Sequence, residues 1–270
     1  MALDVVALVL LAAVLHASWN ALLKPVDERL EVFALGGAVF ALPLVVVALF
    51  AIPSAAAIPF VAASVLLHLA YNLLFTRSYA VGDFNQVYPL ARGLSPLLVA
   101  VIAAVAISEF PDASQLAGIV VISAGLLVLA GRPRTHERLA VGLALATGVM
   151  IASYSAVDGI GVRHADGVVA YSVWLFAGES VVTAGYVGRR MHAALRLWRR
   201  AVAVAALAFA GYGLVIWAQF HANLGGVAAL RETSVIAAAL IGAIVFRERF
   251  GPRRVVASVV VVAGVALLSA

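Results

Sequence analysis

The sequence predicts an all-α, polytopic membrane protein with ten transmembrane helices in two inverted five-helix repeats. Hydrophobic residues make up 65% of the 270 residues and charged residues only 11%, whereas soluble domains average roughly 45–50% and about 25%. Apolar runs long enough to cross a bilayer core of about 30 Å follow one another along the chain. A repeat displaced by 139 residues relates three pairs of positions: Arg92 to Arg231, Glu109 to Glu248, and Gly125 to Gly264.

Each apolar run is bounded by charged residues or by Pro and Gly, which end membrane-spanning helices. The predicted spans are Leu3 to Leu23, Leu30 to Ile52, Ile58 to Ser78, Asn85 to Ser108, Ala113 to Ala130, Leu139 to Gly161, Gly167 to Gly188, Ala201 to Phe220, Leu224 to Phe246 and Arg254 to Ala270. Most joins are short, so consecutive helices should be antiparallel neighbours. The longer joins, 131–138 and 189–200, are rich in arginine.

The repeat divides the chain into a first unit at residues 1–131 and a second unit at residues 139–270. Each unit holds an odd number of spans, so the second copy enters the membrane in the opposite direction to the first. Inverted repeats of this kind are typical of secondary transporters, whose binding sites lie between the two copies. Transport is therefore the leading hypothesis.

The distribution of charge predicts the orientation. Of the 18 Lys and Arg residues, all except Arg92, Arg163 and Arg231 lie in the loops after odd-numbered spans. The positive-inside rule puts those loops in the cytoplasm and both termini outside. The net charge of +5 points to anionic lipid headgroups as partners, and nucleic acid is not expected. The first span has no basic flank before it and is interpreted as a retained helix.

Several residues resemble a known family. The stretch from Pro96 to Glu109, followed by Gly118 and Gly125 and repeated at Glu248 and Gly264, resembles the end of each EamA-like repeat in the drug/metabolite transporter (DMT) superfamily. The resemblance implies a ten-helix bundle that moves a small metabolite, usually outward, driven by an ion gradient or by exchange. It also implies cytoplasmic termini, in contrast to the orientation that the charges of this sequence predict.

The sequence departs from that family pattern at particular positions. Val235 stands where the second repeat often has proline. Ser108 and Arg247 replace the glycine that usually precedes the glutamate. The loop from Ile52 to Ile58 has no basic residue.

Polar residues inside apolar spans are expensive to insert, at roughly 2.5–3.5 kcal/mol for a central Arg, Lys or Asp, and normally face a partner or a cavity. Helical spacing of three, four and seven groups them on shared faces. The predicted substrate-binding residues are His16, Trp19, Asn20, His68, Asn72, Tyr88, Arg92, Tyr154, Asp158, Trp174 and Arg231.

The two repeat-related arginines lie about 12 Å into their helices at 1.5 Å per residue and need negative partners. A carboxylate, phosphate or phosphonate group of a substrate could supply them. The alternative is a buried ion pair within the protein, which is favoured more for Arg231, adjacent to Glu232, than for Arg92, which has no acid within helical reach.

Proton coupling and hinge motion each have candidate residues. The candidates for proton coupling are carboxylates inside the spans, where burial favours the protonated form: Asp158, Glu179 and Glu232. Positions with weakened backbone bonding are the candidates for hinges: Pro89, Gly93, Pro96, Gly225 and Gly226. Glu109 and Glu248 are each expected to accept the free N–H groups of the helix that follows.

The sequence has no ATP-binding loop, no nucleophile elbow and no metal-binding spacing, so neither enzyme activity nor a cofactor is expected. The predicted function is secondary active transport, in the export direction, of a small polar metabolite, anionic or zwitterionic, across the cytoplasmic membrane by alternating access. The alternatives are a flippase for a lipid-linked metabolite and, less favoured, an intramembrane enzyme. Expected partners are a small-molecule substrate, membrane lipids and either protons or a counter-substrate, and both monomer and homodimer are compatible with the sequence.

Overall fold

The computed structural model describes residues 1–81, 84–130, 138–245, 247 and 251–269, and every regular element in these ranges is helical. The α-helices are α1 Leu3–Leu23, α2 Arg29–Ala48, α3 Ile58–Val81, α4 Phe84–Ile107, α5 Ala113–Ala130, α6 Arg138–Arg163, α7 Val168–Val187, α8 Trp198–His221, α9 Leu224–Arg231, α10 Ser234–Val245 and α11 Pro252–Ser269. The all-α class is confirmed.

Eight helical stretches of the described chain are long and apolar enough to cross a membrane. One of them, Val168–His221, contains both α7 and α8, and a further apolar helix, Arg254–Ser269, is shorter. Large apolar side chains on these helices remain exposed, among them Leu42 at 73%, Val105 at 83% and Ile244 at 77%. Such surfaces suit lipid rather than water. The chain is a multi-pass membrane protein, and the count of ten spans stays a prediction.

Helix ends follow the sequence closely where a charge or a proline marks them. Both α1 and α5 begin and end at the predicted residues, whereas α2 ends at Ala48, four residues before the predicted Ile52. The arginine-rich join after α7 is a 3-10 helix, Gly188–Leu197, that leads into α8. Its Arg196 pairs with Glu28 at 2.7 Å.

The predicted span from Leu224 to Phe246 corresponds to one stretch, Leu224–Val245, that is long and apolar enough to cross a membrane, but its helix is interrupted between α9 and α10. Across Glu232 and Thr233 the backbone bonds shorten to a three-residue spacing, as in the bonds from the N–H of Glu232 to Ala229 and from the N–H of Val235 to Glu232. Both residues at the break are buried, at 0% and 9% exposure. Non-helical backbone at membrane depth is tolerated when protein covers it.

Helices from the two halves of the chain pack directly on each other. The pair α5 and α11 is in close contact, α3 packs on α6, α1 packs on α8, and α2 packs on α7. The α5–α11 contact is made at glycines: a Cβ on Gly118 would lie 2.8 Å from the carbonyl oxygen of Gly264, and a Cβ on Gly264 would lie 3.0 Å from that of Gly118. Small residues let membrane helices approach this closely.

Ser108 and Arg247 both have a backbone φ of 54°. These are the positions, 139 residues apart, where the family resemblance leads one to expect glycine. A left-handed φ is strained for residues with a Cβ and costs glycine nothing. At both positions the backbone therefore adopts a conformation that glycine would accommodate without strain.

Candidate functional site

A cavity of about 60 Å³ lies inside the bundle. A single water needs roughly 10–15 Å³ of such space, so the cavity can hold several waters or the polar part of a small solute. Of the residues predicted from sequence to bind substrate, six line it: His16, Trp19, His68, Asn72, Tyr154 and Arg231. Glu179, predicted as a proton-coupling candidate, lines it too.

Arg92 is held by protein groups instead. Its Nη1 donates to both carboxylate oxygens of Glu232, at 2.9 and 3.0 Å, and its Nη2 donates to Nε2 of His16. The guanidinium also lies 5.4 Å from the ring centre of Tyr88. Arg92 and Glu232 are 3% and 0% exposed. Together, Arg92 and Tyr88 border a smaller neighbouring cavity of about 10 Å³.

Arg231, unlike Arg92, is not hydrogen-bonded to a carboxylate. It is 3% exposed, its Nε is 3.9 Å from Glu232 Oε1, and neither Nε nor Nη2 has a hydrogen-bond partner among the described residues. Its guanidinium carbon lies 5.9 Å from the ring centre of Tyr154. From the sequence, both arginines were predicted to bind substrate, and a buried ion pair was favoured more for Arg231, adjacent to Glu232, than for Arg92. The structure reverses this assignment, because the carboxylate at the helix break bonds to α4.

The guanidinium of Arg231 shares the cavity with the carboxylate of Glu179. Glu179 is 6% exposed, and the described residues offer no basic side chain within ion-pair distance of it. Its neighbours include His68 and Asn72. The cavity thus contains Arg231, whose one ion-pair contact is the 3.9 Å approach to Glu232, and Glu179, which has no ion pair among the described residues, and buried charges normally require partners.

Aromatic rings form much of the cavity wall. The ring of His68 stacks on Tyr154 with centroids 4.1 Å apart, and Tyr71 meets Tyr154 edge to face at 5.5 Å. Nδ1 of His68 lies 3.0 Å from the carbonyl oxygen of Ser64, which orients its ring. Sequence reasoning left several wall residues out of the predicted binding set: Phe33, Tyr71, Phe176, Phe209 and Tyr212.

Asp158, predicted both to bind substrate and to couple protons, does not line the cavity. It is fully buried, and its two carboxylate oxygens accept from the hydroxyl of Tyr171 at 2.8 Å and from that of Tyr212 at 2.5 Å. Tyr212 does line the cavity, so Asp158 is connected to the cavity wall through its hydrogen bond with Tyr212.

Two further predicted binding residues also bond elsewhere. The amide nitrogen of Asn20 donates to the carbonyl of His16, one turn earlier in α1. The indole nitrogen of Trp174 donates to the carbonyl of Ala48 at the end of α2. Neither residue lines the cavity.

The hinge candidates lie in two different settings. Pro89, Gly93 and Pro96 lie within α4, which continues through both prolines. Gly225 and Gly226 lie in the first turn of α9, which the Asn223 side chain caps through the N–H of Gly226. The backbone interruption itself occurs later, at 232–233. Hinge roles for all five residues stay predictions.

A second polar cluster joins the ends of α4, α6 and α8. Arg163 Nη1 pairs with Glu109 Oε2 at 2.5 Å, and the same guanidinium donates to the carbonyls of Gln219 and Ala222. Glu109 Oε1 accepts the N–H of Leu224, the first residue of α9, at 2.6 Å. We name these contacts the Arg163 cluster.

The prediction that Glu109 caps the helix following it was wrong, because it caps α9 of the other half. The cap of α5 is Asp112, whose carboxylate accepts the N–H of Gln115 at 2.8 Å and the hydroxyl of Ser114. These bonds hold the pKa of the exposed Asp112 carboxyl below its usual range. The equivalent prediction for Glu248 lies outside the described residues.

Comparisons with known proteins agree with this architecture. Residues 138–270 match the model of the EamA-like transporter family. A solved crystal structure of another protein has a similar fold, with a TM-score of 0.74. The match covers 99% of this chain and 96% of that chain, and the two sequences are 14% identical. No curated protein matches the sequence.

Proposed function

Because residues 138–270 place the chain in the EamA-like transporter family of the DMT superfamily, we propose that it is a secondary transporter for a small polar metabolite. The substrate carries an acidic group, as an anion or a zwitterion, and moves outward across the cytoplasmic membrane by alternating access. One observation carries this proposal: Arg231 lines a buried cavity while its Nε and Nη2 have no hydrogen-bond partner among the described residues.

The chemistry of the cavity favours this substrate class. An acidic group can accept from the free donors of Arg231, and such charge-assisted bonds are about twice as strong as neutral ones. Glu179 is available to a cationic group of a zwitterion, and the aromatic wall of Tyr71, Tyr154 and Tyr212 suits an apolar or cationic portion. The cavity also leaves room for the water that accompanies partly hydrated solutes.

Two features support an arrangement of residues 1–131 and 139–270 as inverted repeats. The packing of α3 on α6 has its counterpart in the packing of α8 on α1, as expected if the halves exchange roles. The left-handed residues Ser108 and Arg247 occupy equivalent positions. Transporters with inverted repeats bind substrate where the repeats meet, and α1 of the first half and α8 of the second both line the cavity.

Alternating access requires one end of the bundle to be closed while the other is open. The cavity-lining residues Trp19 and Phe33 flank the short join between α1 and α2, whereas the Arg163 cluster lies at the opposite helix ends. In this conformation we propose that the Arg163 cluster closes the outer end. By the charge distribution the arginine-rich end faces the cytoplasm, so the cavity is on the side from which an exporter loads.

Counterflow in proteoliposomes tests the proposed function. Vesicles loaded with candidate amino acids, organic acids or phosphonates should accumulate the same labelled solute from outside through the wild-type protein. The Arg231→Gln protein should show less than a tenth of this uptake, and empty vesicles provide the baseline. Movement of labelled lipid without solute counterflow would indicate the flippase, and chemical conversion of a solute in detergent, where no gradient exists, would indicate the enzyme.

A further inference from the structure

Glu232 is shared unequally between the two repeat-related arginines. Its oxygens accept at 2.9 and 3.0 Å from Arg92, whereas Arg231 Nε lies 3.9 Å away, outside hydrogen-bond distance. The first half has Gly93 at the position 139 residues earlier. The duplicated scaffold therefore contains two arginines and a single carboxylate, and that carboxylate belongs to Arg92.

Together, the two guanidinium groups and the carboxylate of Glu232 leave one positive charge, which is on Arg231 in the cavity wall. Glu179 lies on the same wall and offers its carboxylate to a cationic portion of the substrate. In a buried site, an excess charge strongly favours a ligand of equal and opposite charge. A second acidic group would meet the carboxylates of Glu232 and Glu179 with no free guanidinium to receive it.

We propose that Glu232 limits the substrate to one acidic group. Its carboxylate neutralises Arg92, so that only Arg231 remains to bind an acidic group of the substrate. This inference rests on the proposed function and deepens it, because it names the substrate class as compounds with a single acidic group. Glu232 is then a specificity-determining residue. The negative charge of Glu232 lowers the electrostatic potential at Arg231, and in this way Glu232 acts on the substrate.

Butyrate and succinate are suitable probes, since both have four carbons and differ in one carboxylate. Thermal unfolding of the purified protein in detergent at increasing concentrations of each acid gives two apparent Kd values. Wild-type protein should bind butyrate at least tenfold more tightly than succinate. Glu232→Gln, which keeps the side-chain shape and removes the charge, should shift this ratio at least tenfold toward succinate.

A double variant distinguishes the effect of the lost charge from the effect of a disrupted structure. Arg92→Gln with Glu232→Gln removes both members of the ion pair and restores the single excess charge, so its butyrate-to-succinate ratio should return to the wild-type value. A ratio that remains shifted in the double variant would mean that loss of structure caused the change, and would overturn the inference. The double variant should also misfold less than either single variant, because it removes both members of the buried ion pair together and does not leave one of them without its partner.

The outcomes distinguish this inference from the proposed function. If neither acid stabilises the wild-type protein, the anion site itself is absent and the proposed function fails. If butyrate binds and Arg231→Gln abolishes binding, but the ratio is unchanged in Glu232→Gln, only the role of Glu232 is refuted. Equal or tighter binding of succinate by the wild-type protein refutes that role without any variant.

Discussion

Nη1 of Arg92 donates to both carboxylate oxygens of Glu232, which joins the middle of α4 to the break between α9 and α10. The two residues lie 140 positions apart in the sequence and are almost completely buried. This ion pair separates the roles of the two repeat-related arginines: Arg92 holds the structure together, and Arg231 remains available to a ligand.

Arg92→Gln is therefore expected to be far more destabilising than Arg231→Gln. Removing one partner of a buried ion pair leaves an uncompensated charge and typically costs about 3–5 kcal/mol. Arg231→Gln removes a guanidinium whose nearest carboxylate oxygen is 3.9 Å away, beyond hydrogen-bond distance, so its effect on stability should be clearly smaller. Denaturant or thermal unfolding in detergent measures both, and equal losses in the two variants would contradict the assignment.

Ser108→Gly is expected to stabilise the protein. Ser108 has a φ of 54° and is exposed, so removing its Cβ relieves backbone strain of order 1 kcal/mol without losing packing. Ser153→Gly, in the interior of α6, is the control and should lower stability by about 0.5–1 kcal/mol. A shift of the unfolding midpoint in the same direction for both variants would argue against strain at Ser108.

Gly264→Ala tests the close approach of α5 and α11. The new Cβ would lie 2.5 Å from Ile122 Cγ1 and 3.0 Å from the Gly118 carbonyl, and overpacking of this kind costs typically 1–3 kcal/mol. Gly142, in α6, has nothing within 4 Å of the equivalent atom. Gly142→Ala should be neutral or stabilising, so a comparable loss from both alanines would show that helix contact is not the cause.

Arg163→Gln is expected to open the end of the bundle at which the Arg163 cluster lies. The variant loses the ion pair to Glu109 and the bonds to two carbonyls, which together join α6 to the ends of α4 and α8. The sequence contains no cysteine, so a single introduced thiol reports accessibility without background. A thiol at Ser155, which is fully buried, should react with a membrane-impermeant reagent at least tenfold faster in the Arg163→Gln background.

The matched control is a thiol at Ala208, which lines the cavity. Its reaction from the arginine-rich side should slow in the same background, because opening one end closes the other. Parallel increases at both positions would mean local unfolding instead of alternating access.

The helices were largely predictable from the sequence because a bilayer imposes a length on apolar runs. α1 and α5 were predicted to the residue, since Asp27 and Arg29 follow the first and polar residues flank the second. The break at Glu232 was missed because the segments before and after it, 224–230 and 234–245, are apolar enough to continue the span. Its signal was the charged pair Arg231–Glu232, which a continuous lipid-facing helix would not accommodate.

The sequence identified many of the residues near the cavity but not which of them bond to each other. Helical spacing identified most polar residues near the cavity, yet nothing local could indicate that Glu232 bonds to a residue 140 positions away. The part played by Arg163 was missed too, although its isolation among the even-numbered loops was a signal. Tyr212, flanked by Gly211 and Gly213, marked a place where neighbouring helices approach closely around an aromatic ring.

The most direct test of the central claim is ligand-induced thermal stabilisation of the purified protein. A panel of amino acids, organic acids, phosphonates and cationic drugs should contain at least one acidic compound that raises the unfolding temperature of the wild-type protein in a concentration-dependent manner. The same compound should leave folded Arg231→Gln unchanged. Stabilisation of Arg231→Gln equal to that of the wild-type protein would contradict the assignment of Arg231 as the substrate's binding partner.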